Sequence, residues 1–174
     1  MISVIIPFYN EKKNLAVLLQ KLKTNLAKIK DEHEILLVDD GSDDEGHKQI
    51  TDINHVKLVR HRRKSGKGQA LKTGLDASSG DVIVFMDADM QNDPKDLPKM
   101  YDKLQEGYDL VNGIRIGRHN DNILLGGYSY LAEKFLKIFL DSPYSDINCG
   151  FKIFRRHVLD EFVFYGNNFR FFPL

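Results

Sequence analysis

Two aspartates, Asp87 and Asp89, have the spacing that most directly suggests chemistry in this sequence. They follow the most apolar strand pattern of the chain, residues 82–86, and side chains two apart at a strand end can point to the same side. Two carboxylates held this closely repel each other, so a hard divalent cation between them would explain the arrangement. Mg²⁺ or Mn²⁺ there could neutralise a diphosphate leaving group, with Gln91 as a further oxygen ligand. The alternative is that both acids only cap a turn.

A second acidic cluster, Asp39-Asp40-Gly41-Ser42, ends another predicted strand. A carboxylate at such a position is a natural partner for a ribose hydroxyl or a base N–H, as in other doubly wound nucleotide folds. A plain turn in which the glycine supplies a positive φ is the alternative.

A basic stretch between residues 60 and 67 ends in Lys67, which lies between Gly66 and Gly68. Glycines allow backbone N–H groups to approach an anion at the start of a helix, and lysine adds a point charge. We therefore expect Lys67 to contact a phosphate. We interpret residues 62–64 as a solvated loop.

Further charged residues lie later in the chain. Arg115 and Arg118 follow a predicted strand and could clamp a second phosphate. Asp146 is an acid just ahead of Cys149, the single cysteine of the sequence. We expect Cys149 to be a small buried residue, because no basic partner adjoins it.

The elements that must position these residues alternate between strand and helix patterns. Nearly continuous apolar strands alternating with amphipathic helices predict an α/β fold, with a Rossmann-like, mostly parallel sheet and helices on both faces. Ligands of such sheets bind beyond the carboxyl ends of the strands, where the polar clusters fall. The predicted strands are residues 2–6 (closed by Pro7), 34–38, 56–59, 82–86, 109–114 and 150–154. A longer apolar helix is predicted over 123–140 and a last one near 157–162.

Composition limits the class of protein. The 174 residues, 42% hydrophobic and 29% charged, predict one globular domain spanning 1–174. The formal net charge of zero gives no long-range field to hold nucleic acid. No apolar run approaches the roughly 18 residues of a membrane span. The aromatic end, 169–174, lacks a polar tail, so we expect the sequence to stop short of the native carboxyl terminus.

Taken in order, these segments resemble the family 2 inverting glycosyltransferases of GT-A fold, in their polyprenyl-phosphate (dolichyl-phosphate mannose synthase-like) branch. Each segment is moderately specific, and together they cover nearly the whole chain. The segments that carry the resemblance are 4–11, 38–42, 66–70, 86–94, 107–111, 113–115 and 150–155.

The resemblance implies a role for each matching residue. Those implied for the nucleotide sugar are Pro7, Tyr9, Glu11, Asp39, Lys67 and Asp87. Those implied for the metal and diphosphate are Asp87, Asp89 and Gln91, with Asp89 and Asp146 at the reacting centre. Those implied for an acceptor phosphate are Arg115 and Arg118, with Ser129 as a weaker candidate.

The implied reaction moves a sugar from a UDP- or GDP-linked donor to a polyprenyl phosphate, with inversion and with Mg²⁺ or Mn²⁺ as cofactor. Asp146 would be either a base or an orienting group. We expect a cytoplasmic protein that works at the cytoplasmic face of a membrane, with membrane contact through a missing carboxyl-terminal segment. We expect helix 123–140 to pack as core or as a subunit contact in a homo-oligomer.

Three alternatives stay open from the residues. One is a family member that uses a saccharide acceptor in cell-surface polysaccharide synthesis. Another is a nucleotidyltransferase, although its glycine-rich loop should follow the first strand, where Pro7-Phe8-Tyr9-Asn10-Glu11 stands. The third is a non-enzymatic phospho-receiver or nucleotide-binding module, although a receiver's acid pair should follow the first strand rather than the second.

Overall fold

A mixed six-stranded sheet organises the part of the chain that the computed structural model describes, residues 1–50, 55–114 and 149–159. The strands lie in the order β3-β2-β1-β4-β6-β5. Strands β1 to β4 are parallel to one another, and β6 lies antiparallel between β4 and β5. The strands are β1 (Ile2–Phe8), β2 (His33–Asp39), β3 (Val56–Arg60), β4 (Val82–Phe85), β5 (Leu110–Asn112) and β6 (Lys152–Arg155).

Helices cover both faces of the sheet. Helix α1 (Lys12–Leu26) and helix α3 (Leu97–Gln105) pack on one face, and helix α2 (Lys67–Asp76) packs on the other. Single 3₁₀ turns span Gly46–Gln49, Pro94–Asp96 and Arg156–Leu159. The predicted fold class, a mostly parallel α/β sheet with helices on both faces, is confirmed. Among the described residues, no helix has the length and apolar character needed to cross a bilayer.

Helix α1 shows how the sequence pattern produces the packing. Its leucines recur at three- and four-residue spacing, so they share one face of the helix. All of them are buried against the sheet, and each contributes about 1.5–3 kcal/mol through the apolar area removed from water. The buried leucines are Leu15, Leu18, Leu19, Leu22 and Leu26.

Pro7 was expected to close the first strand, and this was wrong: β1 continues through Pro7 to Phe8, where it pairs with Asp39. The Phe8 carbonyl accepts a hydrogen bond from the β2 side, so the Pro7 nitrogen faces the β4 side. Strand β4 has already ended there, at Phe85 opposite Ile5. The missing N–H of proline therefore costs no bond of the ladder.

The carboxyl ends of β1, β2 and β4 meet at one edge of the sheet. The β2 end turns sharply through Gly41, which has a φ of +77°. A Cβ atom at position 41 would also lie 2.6 Å from the Arg63 carbonyl carbon. The glycine turn that was the alternative for this segment is thus present, and it brings the loop before α2 against the end of β2.

Candidate active site

A cleft of about 270 Å³ opens at this edge of the sheet. Its floor comes from the end of β1, and its walls come from the loops that follow β2, β3 and β4. Open α/β sheets bind their ligands at such a position. The lining residues are Pro7, Phe8, Tyr9, Glu11, Asp40, Lys64, Lys67, Asp87, Ala88 and Asp89.

Most of the residues expected at a donor site come together in this cleft. Pro7 lies in β1, Tyr9 and Glu11 lie in the segment between β1 and α1, and Lys67 lies in the first turn of α2. Asp87 and Asp89 arrive from the end of β4, and Gln91 lies exposed two residues beyond. The predicted juxtaposition of the two aspartates with Lys67 is therefore present in the structure.

Asp87 forms an ion pair with Lys67. The Asp87 side chain is 23% exposed and the Lys67 side chain is 35% exposed, so water still reaches both groups. The Lys67 ammonium group is therefore a positive partner for the Asp87 carboxylate. A carboxylate of this kind also suits a hard divalent cation.

Asp89 caps a turn, which was the alternative to a metal-binding role for the two aspartates. Its Oδ1 accepts the Gln91 N–H at 3.0 Å, across a turn in which Met90 has a φ of +61°. The Asp89 side chain is nonetheless exposed at the cleft. The described residues contain no group of three His, Cys, Asp or Glu side chains placed to hold a metal. A cation at Asp87 and Asp89 would therefore need further oxygen ligands, such as Gln91 or a diphosphate.

Asp39 and Asp40, the two adjacent acids at the end of β2, differ in their surroundings, because only Asp40 lines the cleft. Asp40 lines the cleft, and its carboxylate accepts the N–H groups of Ser65 and Gly66, each at 2.8 Å. It also lies 2.8 Å from Nδ1 of His61. The Gly66 N–H was expected to face a bound anion, but it donates to the Asp40 carboxylate instead. Asp40 fixes the loop that carries Lys67.

Asp39, predicted for the nucleoside pocket, is fully buried and is not among the residues that line the cleft. Its Oδ1 accepts the Ser42 N–H at 2.7 Å. Its Oδ2 has no aligned hydrogen bond, but Arg60 Nε lies 3.1 Å away and His47 Nδ1 lies 3.4 Å away. Charge compensation rather than a directed bond stabilises this oxygen. The nucleoside role of Asp39 stays a prediction.

Lys64 is a cleft residue that the sequence pattern did not identify. Its ammonium nitrogen lies 3.7 Å from the centroid of the Tyr9 ring, which is a cation–π contact. Residues 62–64 are all exposed, as expected for a solvated loop, and Lys64 in addition packs on Tyr9 and lines the cleft. Asp40 was likewise missed, because Asp39 was chosen from the same pair. Arg115, Arg118, Ser129 and Asp146 lie outside the described residues.

The fold and the cleft define a mostly parallel α/β domain of GT-A type, with carboxylates and lysines at the carboxyl edge of its sheet. The chain belongs to glycosyl transferase family 2, whose family model matches residues 3–163. This membership argues against the phospho-receiver and nucleotidyltransferase alternatives.

Two curated relatives are undecaprenyl-phosphate 4-deoxy-4-formamido-L-arabinose transferases. The one from Klebsiella pneumoniae (strain 342) is 33% identical over 178 residues, and the one from Enterobacter sp. (strain 638) is 32% identical over 178 residues. Each match covers 99% of this chain and 54% of the relative. The chain thus spans about half the length of these relatives.

Solved structures of low sequence identity share the fold. Glucosyl-3-phosphoglycerate synthase from Mycobacterium tuberculosis, in complex with Mn²⁺, UDP-glucose and phosphoglyceric acid, matches with a TM-score of 0.69 at 23% identity, over 91% of this chain and 57% of that one. Mannosyl-3-phosphoglycerate synthase from Rubrobacter xylanophilus matches with a TM-score of 0.73 at 16% identity, over 91% of this chain and 54% of that one.

Proposed function

We propose that this domain binds a UDP- or GDP-linked sugar in the cleft and transfers the sugar, with inversion, to a polyprenyl phosphate. The observation that carries the proposal is the meeting of Asp87, Asp89 and Lys67 at the carboxyl edge of the sheet. The two carboxylates could bind a divalent cation, and the lysine could bind a diphosphate. The acceptor class is supported by the names of the curated relatives, which are undecaprenyl-phosphate transferases.

The donor would lie with its diphosphate near Lys67 and its nucleoside toward Pro7, Tyr9 and Glu11. Lys67 would place positive charge on a phosphate oxygen. Asp87 and Asp89, with Gln91, would hold Mg²⁺ or Mn²⁺. When bound, the cation would supply the positive charge that stabilises the departing diphosphate.

In the proposed reaction an acceptor oxygen attacks the anomeric carbon in line with the bond to the diphosphate. The new carbon–oxygen bond forms as the bond to the diphosphate breaks, so the configuration inverts. A phosphate acceptor is already anionic near neutral pH, which leaves Asp146 an orienting role. Arg115 and Arg118, with Ser129, would neutralise the acceptor phosphate. A polyprenyl acceptor keeps its chain in a bilayer, so we propose that the reaction takes place at the cytoplasmic face of a membrane.

The proposal is tested by a thermal-shift titration with UDP and GDP, each with and without Mn²⁺. A ligand that binds only the folded state stabilises it by about 2.7 kcal/mol at a hundred times its Kd. We expect one nucleotide to raise the Tm in the presence of Mn²⁺, and Asp89→Asn to remove the Mn²⁺-dependent part of that rise.

Asp96→Asn is the matched control, because Asp96 is an exposed acid of the same segment that does not line the cleft. It should respond as the wild type does. A wild-type protein whose Tm neither nucleotide changes would contradict the donor assignment. Turnover with a water-soluble saccharide but not with undecaprenyl phosphate would contradict the acceptor assignment.

A further inference from the structure

Gly150 lies directly against the carboxylate of Asp87. A Cβ atom at position 150 would lie 2.1 Å from Oδ2 of Asp87, 2.6 Å from Cγ and 2.9 Å from Oδ1. All three distances are shorter than a carbon atom can make without displacing its neighbour. The hydrogen of a glycine is the side chain that this space admits while the carboxylate stays in place.

The pairing of the strands explains the contact. Strands β4 and β6 are antiparallel, and their last pair toward the cleft joins Phe85 to Lys152. Continuing this register by two residues on each strand places Asp87 opposite Gly150. Antiparallel neighbours lie about 4.5–5.5 Å apart at their Cα atoms, so a side chain of one readily covers the other.

The backbone around Gly150 is held in place on both sides. The carbonyl of Phe151 accepts the Gly113 N–H at 2.9 Å. Cys149 is fully buried, with its Sγ 3.6 Å from Oδ1 of Asn92. A substitution at position 150 therefore acts on the side chain it meets rather than moving its own strand.

Glycine is needed at position 150 because of the lack of space beside Asp87, and not because of the backbone conformation. The backbone of Gly150 does not adopt the positive φ that marks Gly41, so alanine can take its conformation. The atoms that an alanine methyl would strike belong to the Asp87 carboxylate, which would have to rotate to another staggered position. That rotation moves the group away from its present place beside Lys67.

We propose that Gly150 is a positioning residue for Asp87, and that it sets the affinity of the cleft for a divalent cation by confining this carboxylate to one orientation. The inference rests on the proposed function, in which Asp87 is a metal ligand. Residues that orient a metal ligand from behind typically change metal affinity by about 10-fold to 100-fold when they are altered.

The test is a Mn²⁺ titration followed by the electron paramagnetic resonance signal of free aqueous Mn²⁺, in the presence of UDP and, in parallel, of GDP. We expect Gly150→Ala to weaken Mn²⁺ binding by about 10-fold or more. Gly113→Ala is the matched control. Its methyl would contact the same segment, 3.0 Å from the Phe151 carbonyl oxygen and 3.2 Å from Cys149 Sγ, and we expect Mn²⁺ affinity near the wild-type value.

A double-mutant cycle identifies Asp87 as the group that transmits the effect. In an Asp87→Ser background the carboxylate is gone, so adding Gly150→Ala should not weaken Mn²⁺ binding further. If Gly150→Ala folds too poorly for a Mn²⁺ titration, the same double-mutant cycle can be measured on the Tm. The loss of Tm caused by the alanine should be smaller in the Asp87→Ser background than in the wild type.

Three outcomes would overturn the inference while leaving the proposed function intact. These are wild-type Mn²⁺ affinity in Gly150→Ala, an equal loss in Gly113→Ala, and an undiminished effect of the alanine in the Asp87→Ser background. A wild-type protein that binds no Mn²⁺ with either nucleotide would instead overturn the proposed function, and the inference with it.

Discussion

Lys67, the first residue of helix α2, forms an ion pair with Asp87 at the end of β4. The pair joins the basic loop to the acid cluster across the cleft. A divalent cation that binds Asp87 must compete with this ammonium group. Once displaced from Asp87, Lys67 can turn its charge toward the phosphates of a donor.

From this relationship we predict opposite effects of Lys67→Met on two ligands. Binding of UDP or GDP with Mn²⁺ should weaken by about tenfold or more, because a hydrogen bond to a charged group contributes about 1.5–3 kcal/mol. Binding of Mn²⁺ alone should strengthen, since its competitor at Asp87 is gone. Isothermal titration calorimetry measures both affinities.

Lys72→Met is the control for this prediction. Lys72 lies on the same helix and pairs with Asp76 at 2.6 Å, on the protein surface. Removing it takes away the same charge from the domain without touching the cleft. Equal losses of nucleotide affinity in both variants would show that the net charge of the domain, rather than contact by Lys67, governs binding.

Asp40→Asn should destabilise the fold by about 1–3 kcal/mol, the usual cost of leaving a buried polar group without its partner. An amide keeps one acceptor oxygen, whereas the carboxylate serves the N–H groups of Ser65 and Gly66 with different oxygens. The NH₂ of asparagine would then face one of these donors. Urea denaturation measures the difference in free energy of unfolding.

Asp43→Asn provides the comparison for Asp40, because the Asp43 side chain is exposed one turn further along the same loop. We expect its urea midpoint to match the wild type. An unchanged midpoint in Asp40→Asn as well would show that the loop before α2 does not depend on this carboxylate.

Glu34 should make the stability of the domain depend on pH. Burial raises the pKa of Glu34, but hydrogen bonds from Lys57, Ser3 and the Ser79 N–H outweigh burial and leave the pKa below its ordinary value. A carboxyl whose folded pKa is depressed stabilises the fold above its unfolded pKa. This stabilisation is lost as the pH falls through the folded pKa.

We therefore expect Glu34→Gln to lower the free energy of unfolding at neutral pH and to approach the wild type as the solution becomes acidic. Urea titrations over a pH series measure this convergence. Glu32→Gln, at an exposed position next to β2, should lie close to the wild type throughout. A difference between Glu34→Gln and the wild type that stays constant with pH would contradict the assignment.

The meeting of Asp87 with Lys67 could be predicted from sequence because parallel strands bring their carboxyl ends to one edge. Which of Asp39 and Asp40 faces the cleft could not be predicted from the sequence. Strand β2 is buried on both faces, so its apolar run has no alternation that would show which side chain faces the cleft. That Asp40 lines the cleft and Asp39 does not is seen only in three dimensions, and the nucleoside role of Asp39 remains a prediction.

The direction of β6 was also hidden from sequence analysis. A short apolar strand has the same pattern whether it runs parallel or antiparallel to its neighbour. The contact between Gly150 and Asp87 depends on this direction and on the register of β4 with β6. Lys64 was missed for a similar reason, because a run of basic residues does not reveal which side chain folds back onto Tyr9.

The hydrogen bond from the Gly113 N–H to the Phe151 carbonyl has a consequence for the length of the connection between β5 and β6. It means that the chain leaves the sheet after β5 and returns to it before β6 at a single point. Closing a longer or shorter connection between two such neighbouring ends changes the free energy only slightly. Arg115, Arg118 and Ser129, which are proposed for the acceptor phosphate, fall in this interval of the sequence, as does Asp146. A change in the length of this interval can therefore leave the pairing of β5 with β6, and with it the place of Gly150 beside Asp87, as it is.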